Sequence, residues 1–270
     1  MDRIVLSEKI VNDFQTKILF WYKIHKRDFP WRKTTDPYYI LVSEVMLQQT
    51  QAVRVVPYYE KFIKRFPSFK DFALAKNNDV LKVWSGLGFN NRAIRLKEIA
   101  KIIQNKFKGV FPQQNDQLLA LKGIGNYTAA AVLAFAFNRR FAVIDTNIRR
   151  VLIHELHLSE NISQRHLSEI AFQLIPKGRS RIWHNALMDY GALEATVKQT
   201  NIKSRSKQSP FKGSEREVRG KILRFLLEKK KVTLVSLVEF FPHKNIEEII
   251  IKMKRDGLII EVGRIISISK

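Results

Sequence analysis

The chain contains no cysteine. That absence excludes disulfides, thiolate metal sites, cysteine nucleophiles and cysteine-ligated iron-sulfur clusters. Long apolar runs are missing too. No stretch approaches the ~18 consecutive apolar residues of a membrane span, and the start, MDRIVLSEKIVNDF, lacks the uninterrupted apolar core of a signal peptide. A soluble, cytoplasmic protein with no membrane partner is expected. Acidic residues are scarce beside basic ones: 25 Asp and Glu face 48 Lys and Arg, and the formal charge of +23 favours a polyanion, nucleic acid before an acidic membrane surface. Histidines are few. Only His154 and His157 stand at (i, i+3), and with no cysteine to complete a zinc site the pair reads as helix surface, so no metal is expected there.

What is present is a core's worth of apolar residues, 45% of the chain, in an almost wholly helical pattern. Ile10, Phe14, Ile18, Trp21 and Tyr22 recur at helical spacing over residues 7–27, and Asp28-Phe29-Pro30-Trp31 breaks the run. Further helices are predicted over about 39–55, 57–66, 78–84, 90–107, 115–121, 126–137, 146–157, 163–175 and 183–197. With no repeat period, the series implies an all-α globule. The composition then shifts. Between Lys198 and Lys231 there are 12 Lys/Arg against 3 Asp/Glu, and KSRSKQSPFKGS has the Ser, Pro and Gly of an exposed arm. The expected division is a helical domain at 1–200, a basic linker at 201–213 and a small α+β unit at 214–270. In that last unit helices at 215–229, 233–241 and 245–256 precede β-like stretches Leu258–Val262 and Ile265–Ile268, the order of a winged helix. It is either a stabilising cap or a contact for DNA or a partner.

The most specific local pattern is LKGIGNYTAAAVLAFAF at 121–137. Gly123 and Gly125 allow a tight hairpin that exposes backbone amides at the start of the next helix, a phosphate-binding arrangement, although two such glycines also suit any interhelical turn. Thr128 and Ala129 to Ala131 permit close helix packing.

This hairpin resembles the helix-hairpin-helix of DNA repair glycosylases, and the resemblance extends over about 190 residues. FPWR at 29–32, VSEVMLQQTQ at 42–51, GLGFNNRA at 86–93, the hairpin at 121–129, VIDTNIRRVL at 143–152 and HNALMDYGAL at 184–193 follow the order and spacing of the adenine glycosylases in that superfamily. The resemblance implies a bilobed all-α glycosylase core with its cleft between the lobes, in which the N-terminal helix packs on 183–197. It implies a monomeric base excision repair enzyme acting on double-stranded DNA that contains a mismatch or damaged base, with adenine opposite guanine or 8-oxoguanine as the target. Two departures stand out. Four cysteines usually follow the last block and hold an iron-sulfur cluster, whereas this chain reads EATVKQTNIKSRSKQS; the winged-helix-like unit stands where a domain reading 8-oxoguanine is usual.

Cleaving an N-glycosidic bond to adenine passes through an oxocarbenium-like sugar, so one acid should protonate the base and one carboxylate should face the cation. Glu44 lies within the apolar run Ile40 to Leu47, where burial would keep it protonated as a general acid needs; it is equally placed for a polar stripe with Gln48 and Gln51. Asp145 precedes Thr146-Asn147-Ile148 and reads as a helix N-cap, and the resemblance turns it toward the sugar carbon. Tyr127 occupies the position where lyase members carry a nucleophilic lysine, and Lys122 is on the wrong side of Gly123, so a monofunctional enzyme is expected. By resemblance Gln49 plugs the space left by an extruded base and Phe89 wedges the opposite strand. Arg32 and Asp189 contact the base, Trp31 and Leu47 line its pocket, and Gly123, Gly125, Asn126 and Thr128 hold the DNA backbone. The carbonyls of Lys122 and Ile124 offer a place for a monovalent cation. Asn90 and Asn91 replace aromatic or small residues of the family. A thymine or uracil mismatch glycosylase and a non-catalytic DNA-binding relative are the alternatives; a pyrimidine has no N7 for Glu44 to protonate. No cofactor is expected. Purified protein should show no absorbance near ~400 nm and carry no iron, because cysteine ligation is impossible; stoichiometric iron on elemental analysis would contradict this.

Overall fold

Ser7, Ser68, Asp145, Ser163, Thr196 and Thr233 each accept a hydrogen bond from the backbone N–H three residues on, and each starts a helix. The computed structural model describes residues 4–205, 209–243 and 245–270. In chain order its helices begin with α1 Glu8–His25, α2 Pro37–Leu47, α3 Ala52–Arg65, α4 Phe69–Leu74, α5 Asn77–Trp84 and α6 Asn91–Phe107. There follow α7 Asn115–Leu119, α8 Asn126–Phe135, α9 Thr146–Glu155, α10 Gln164–Gln173, α11 Ser180–Leu193 and α12 Val197–Thr200. The C-terminal region comprises α13 Glu215–Lys229, β1 Lys231–Thr233, α14 Leu234–Phe240, α15 Ile246–Arg255, β2 Ile259–Val262 and β3 Ile265–Ile268. Among the described residues no helix is long and apolar enough to cross a membrane.

The architecture is the expected one, with local corrections. The single helix predicted over 39–55 is two, α2 and α3, separated at 48–51, where Gln49 adopts φ +56°. A buried arginine explains the break. Arg92 Nη1 donates to the carbonyls of Val45 (2.7 Å), Met46 (3.0 Å) and Gln48 (2.6 Å), satisfying the acceptors that a continuing helix would have used. Helix α4, capped by Ser68, and the 3₁₀ turn Pro30–Arg32 were not predicted. A strand, β1, precedes the helix expected at 233–241, and it completes an antiparallel sheet of order β1-β3-β2.

The chain divides into two compact units. The first comprises residues 1–44, 113–120 and 124–207. Its core joins Phe14 and Ile18 of α1 to Ile148, Val151 and Leu152 of α9 and to Trp183, Ala186 and Tyr190 of α11, with the Phe14 and Trp183 rings edge to face at 5.6 Å. The N-terminal helix and α11 therefore pack together as expected. The stretch standing where the family's cysteines usually lie is held by hydrogen bonds: Arg150 Nε donates to the Ala195 carbonyl at 2.6 Å, Thr196 and Gln199 form a capping box, Ile202 is buried, and Arg205 Nη2 donates to the carbonyls of Glu160 and Ile162.

The second unit comprises residues 45–112, 121–123 and 208–270, so the winged-helix-like region shares a compact body with α3 to α6. Asn77 Nδ2 in α5 donates to Ser269 Oγ and the Lys270 carbonyl, both at 2.9 Å, and Asp256 is shared by Arg219 of α13 and Arg95 of α6. Of the expected linker at 201–213, residues 206–208 lie outside the described residues.

In the first unit α9 and α11 approach so closely that a Cβ on Gly191 would lie 2.9 Å from both the Cβ and the carbonyl oxygen of Asn147. Gly191→Ala should therefore cost roughly 1–3 kcal/mol of unfolding free energy, the usual cost of overpacking. Urea titration checks it; an unchanged midpoint would mean that the two helices can move apart freely.

Candidate active site

Three polar side chains of the first unit meet around Glu44. That residue is 5% exposed on α2, between the buried Ser43 and Val45. Burial pushes its carboxyl up to about 7; a hydrogen bond from Tyr127 and the positive charge of Arg32 oppose the rise, while the negative charge of Asp145 adds to it. Tyr127 comes from the second position of α8. Its phenol is driven well above the ordinary value, first by burial and then by the two carboxylates, so it stays a neutral donor. Asp145 caps α9: its Oδ1 accepts from the Ile148 amide at 2.7 Å and its Oδ2 from Asn147 Nδ2 at 3.1 Å. Burial raises its pKa as well, but these donors and the Arg150 charge work against the rise. Asp145 thus has donors that favour its carboxylate, whereas burial favours the protonated form of Glu44.

The supporting residues are less visible in sequence. Arg150 Nη2 holds Asn147 Oδ1 at 2.8 Å and the Gly191 carbonyl at 2.5 Å, which fixes the amide that in turn holds Asp145. His184 is buried and its pKa falls to about 4 because burial penalises the cation. The neutral ring accepts from the Val143 amide at 3.2 Å, fixing the backbone that leads into Asp145. Neither role has a complete local signal: the Val143–His184 and Gly191–Arg150 bonds each join residues 41 positions apart, although Asn147 lies only three before Arg150.

Arg32 and Asp189, both expected to touch a base, instead pair with each other through two hydrogen bonds of 2.7 and 2.8 Å. Asp189 also accepts from the amide and Nε of Arg27 and has no exposed surface. It is thus a residue that orients Arg32, not one that faces an open site. Arg32 Nε is buried without a hydrogen-bond partner among the described residues, a donor still available. Trp31 is buried and stacks on Phe29 at 5.0 Å.

At the hairpin, Gly123 has φ +107° and Gly125 is the N-cap of α8 with extended backbone. Gly123, Gly125, Asn126 and Lys122 are exposed, while Ile124 is buried. Thr128, expected to meet the DNA backbone, is only 3% exposed and belongs to helix packing.

In the second unit, Gln49 is exposed, Leu47 is half-buried, and Phe89 is half-buried with φ +47°. Arg92 ties the last two loops together, for beside its bonds to 45–48 it donates to the carbonyls of Gly88 (3.1 Å) and Phe89 (3.4 Å). Among the described residues no group of three or more His, Asp and Glu is placed to hold a metal.

Comparison with known proteins agrees with this geometry. The family described as HhH-GPD superfamily base excision DNA repair protein matches residues 42–177. The adenine DNA glycosylase of Mycolicibacterium smegmatis is 37% identical over 228 residues, covering 77% of this chain and 78% of that one. That of Buchnera aphidicola subsp. Baizongia pistaciae is 40% identical over 185 residues, 67% of this chain and 52% of the relative, so the chain spans about half the length of some curated relatives. Among solved structures, a thermostable thymine-DNA glycosylase superposes with a TM-score of 0.67 at 34% identity over 71% of this chain and 90% of its own.

The buried acid makes a stability prediction. Below pH 4.5 Glu44 is protonated whether folded or not; as pH rises toward 7 the unfolded chain ionises first, so stability falls through that window and stays lowered above it. Glu44→Gln removes this cost. Its advantage over the wild type in unfolding free energy should grow by up to about 3 kcal/mol between about pH 4 and about pH 8. Denaturant titrations across that range read it, and a pH-independent difference would show that Glu44 ionises normally.

Proposed function

The chain belongs to the HhH-GPD superfamily of base excision DNA repair proteins, and from that premise we propose that it is a monofunctional glycosylase hydrolysing the N-glycosidic bond of adenine mispaired with guanine or 8-oxoguanine. One arrangement carries the reading: a carboxylic acid, Glu44, buried on α2 so that its protonated form is favoured, with the amide-bound carboxylate Asp145 near enough for its charge to act on it. The pair supplies an acid and an anion at neutral pH. Glu44 passes its proton to N7 of the extruded adenine. The bond from C1′ to N9 then breaks with its electron pair going to the base, and Asp145 faces the cation left on the sugar. Water adds to C1′, its proton is taken by the Glu44 carboxylate, and an abasic sugar and free adenine remain. Tyr127 orients Glu44 and offers no amine for a Schiff base, which favours hydrolysis over strand cleavage. Arg32, braced by Asp189, presents its Nε as a donor for the base, with Trp31 and Leu47 as the apolar lining of its pocket.

Duplex DNA is the proposed partner of a monomer. The amides at the start of α8, after Gly123 and Gly125, suit a phosphate, and a cation on the Lys122 and Ile124 carbonyls would assist. Gln49, exposed, and Phe89, half-buried, lie on loops with left-handed backbone and suit insertion into the stack. Residues 214–270, packed with α3 to α6 in the second unit, serve as a further DNA-contacting region. A thymine or uracil mismatch substrate is the second reading, favoured by the likeness to the thymine-DNA glycosylase structure.

Glu44→Gln and Asp145→Asn should each slow base release by ~10²–10⁴-fold while duplex binding persists, since each removes one of two cooperating groups and preserves shape. The assay is single-turnover cleavage of end-labelled duplexes carrying A, T or U opposite G, and A opposite 8-oxoguanine, with alkali treatment. Release of T or U that survives Glu44→Gln would select the pyrimidine reading.

A further inference from the structure

Phe89 stands at the end of a loop whose backbone is left-handed at three of four positions: Gly86 at φ +99°, Gly88 at +86° and Phe89 itself at +47°. Glycine adopts such angles freely, whereas a phenylalanine holds one only where its surroundings over-determine it. Two guanidinium groups do so here. Arg92, from within the same loop and helix, lies over the Phe89 ring with its Cζ 5.4 Å from the centroid, and Arg216 lies over the same ring at the same distance. Arg92 is buried and serves the backbone. Arg216 belongs to the first turn of α13, in the winged-helix-like region, 127 positions away in sequence.

Arg216 is itself held. Its Nη2 donates to the Ser209 carbonyl at 2.5 Å, and one turn further along α13 Arg219 meets Asp256, the residue that also receives Arg95 of α6. The helix that carries Arg216 is thus tied to the helix that follows the Phe89 loop.

We propose that Arg216 is a positioning residue for Phe89, through which the C-terminal region sets the orientation of the aromatic side chain that enters the duplex. The inference rests on the reading of Phe89 as a wedge. A planar guanidinium over the ring keeps the side chain directed as the loop meets DNA, and its charge gains strength from the ring as water is excluded. The C-terminal region then contributes to base extrusion without touching a base, which a phosphate-binding appendage would not do.

The test uses the full-length chain with Arg216→Ala, Arg216→Lys, Phe89→Ala and the double variant Arg216→Ala/Phe89→Ala. Base extrusion is followed by stopped-flow fluorescence of 2-aminopurine placed beside an A·G mismatch, with binding measured over a series of salt concentrations and thermal melting as a check on folding. Arg216→Ala should slow extrusion by roughly threefold to fivefold, the worth of one exposed cation-π contact, with melting and the salt slope unchanged. Lysine should restore only part of the rate, because it keeps the charge and loses the planar stack. In the Phe89→Ala background the loss of Arg216 should have no further effect. If Arg216→Ala slows extrusion equally with and without Phe89, or lowers the salt slope by about one, Arg216 is a phosphate contact and the proposal is wrong. If Phe89→Ala slows extrusion and Arg216→Ala does not, the proposal is also wrong while the wedge reading stands. Normal extrusion by Phe89→Ala would remove the wedge reading itself, and the proposal with it.

Discussion

Taking one carboxyl group out of water is the constraint around which the first unit is arranged. Glu44 sits among side chains that are nearly all buried, and an ionised acid there is disfavoured unless donors surround it. The fold supplies one donor, Tyr127, and places a second carboxylate close enough for its charge to be felt. Both arrive from helix starts. Small residues from Ala129 to Ala131 let α8 enter the core with Tyr127 on its first turn, and the cap of α9 fixes Asp145 by the same hydrogen bond that starts the helix. A structural cap and an anion at a reaction centre are here one arrangement. Helix amides that hold the carboxylate also preorganise it.

A second theme is the number of arginines that work inside. Arg92, Arg149 and Arg150 are each at most 9% exposed, and Arg181 donates to the carbonyls of Phe135 and Ala136 at the end of α8. These groups close helix ends and loops by donating to backbone carbonyl oxygens there. A guanidinium suits the task because its donors form a fixed planar fork. The strongly basic composition therefore has two origins. Part of it is surface charge available to a polyanion, and part is internal hydrogen bonding that would be needed in any solvent.

Elements whose signals are local were legible in the sequence. The apolar spacing of α1, the glycines of the hairpin and the acid-then-helix pattern at Asp145 each lie within a few residues of the structure they produce. Glu44 was legible for a similar reason, as an acid in an apolar run. What escaped depended on distant partners. The break at 48–51 has no proline or glycine; it exists because Arg92, more than 40 positions on, takes the carbonyls. His184 and Arg150 look ordinary in sequence because Val143 and Gly191 lie 41 positions from them, although Arg150 also holds Asn147 three residues before it. Nor does anything nearby in sequence disclose that Arg27 and Arg32 enclose Asp189. The short strand β1 escaped because three residues cannot display a period, and the sheet forms only when β3 returns to pair with it.

The stretch from Ala195 to Arg205 is fastened by Arg150, the Thr196 capping box, Ile202 and Arg205. Segments organised by a metal fold only when the metal is delivered, so their maturation waits on cofactor supply. Here every fastening is encoded in the polypeptide. Newly made chains can fasten this region at the pace of ordinary helix packing, and with no cysteine in the chain thiol oxidation has no target through which to undo it.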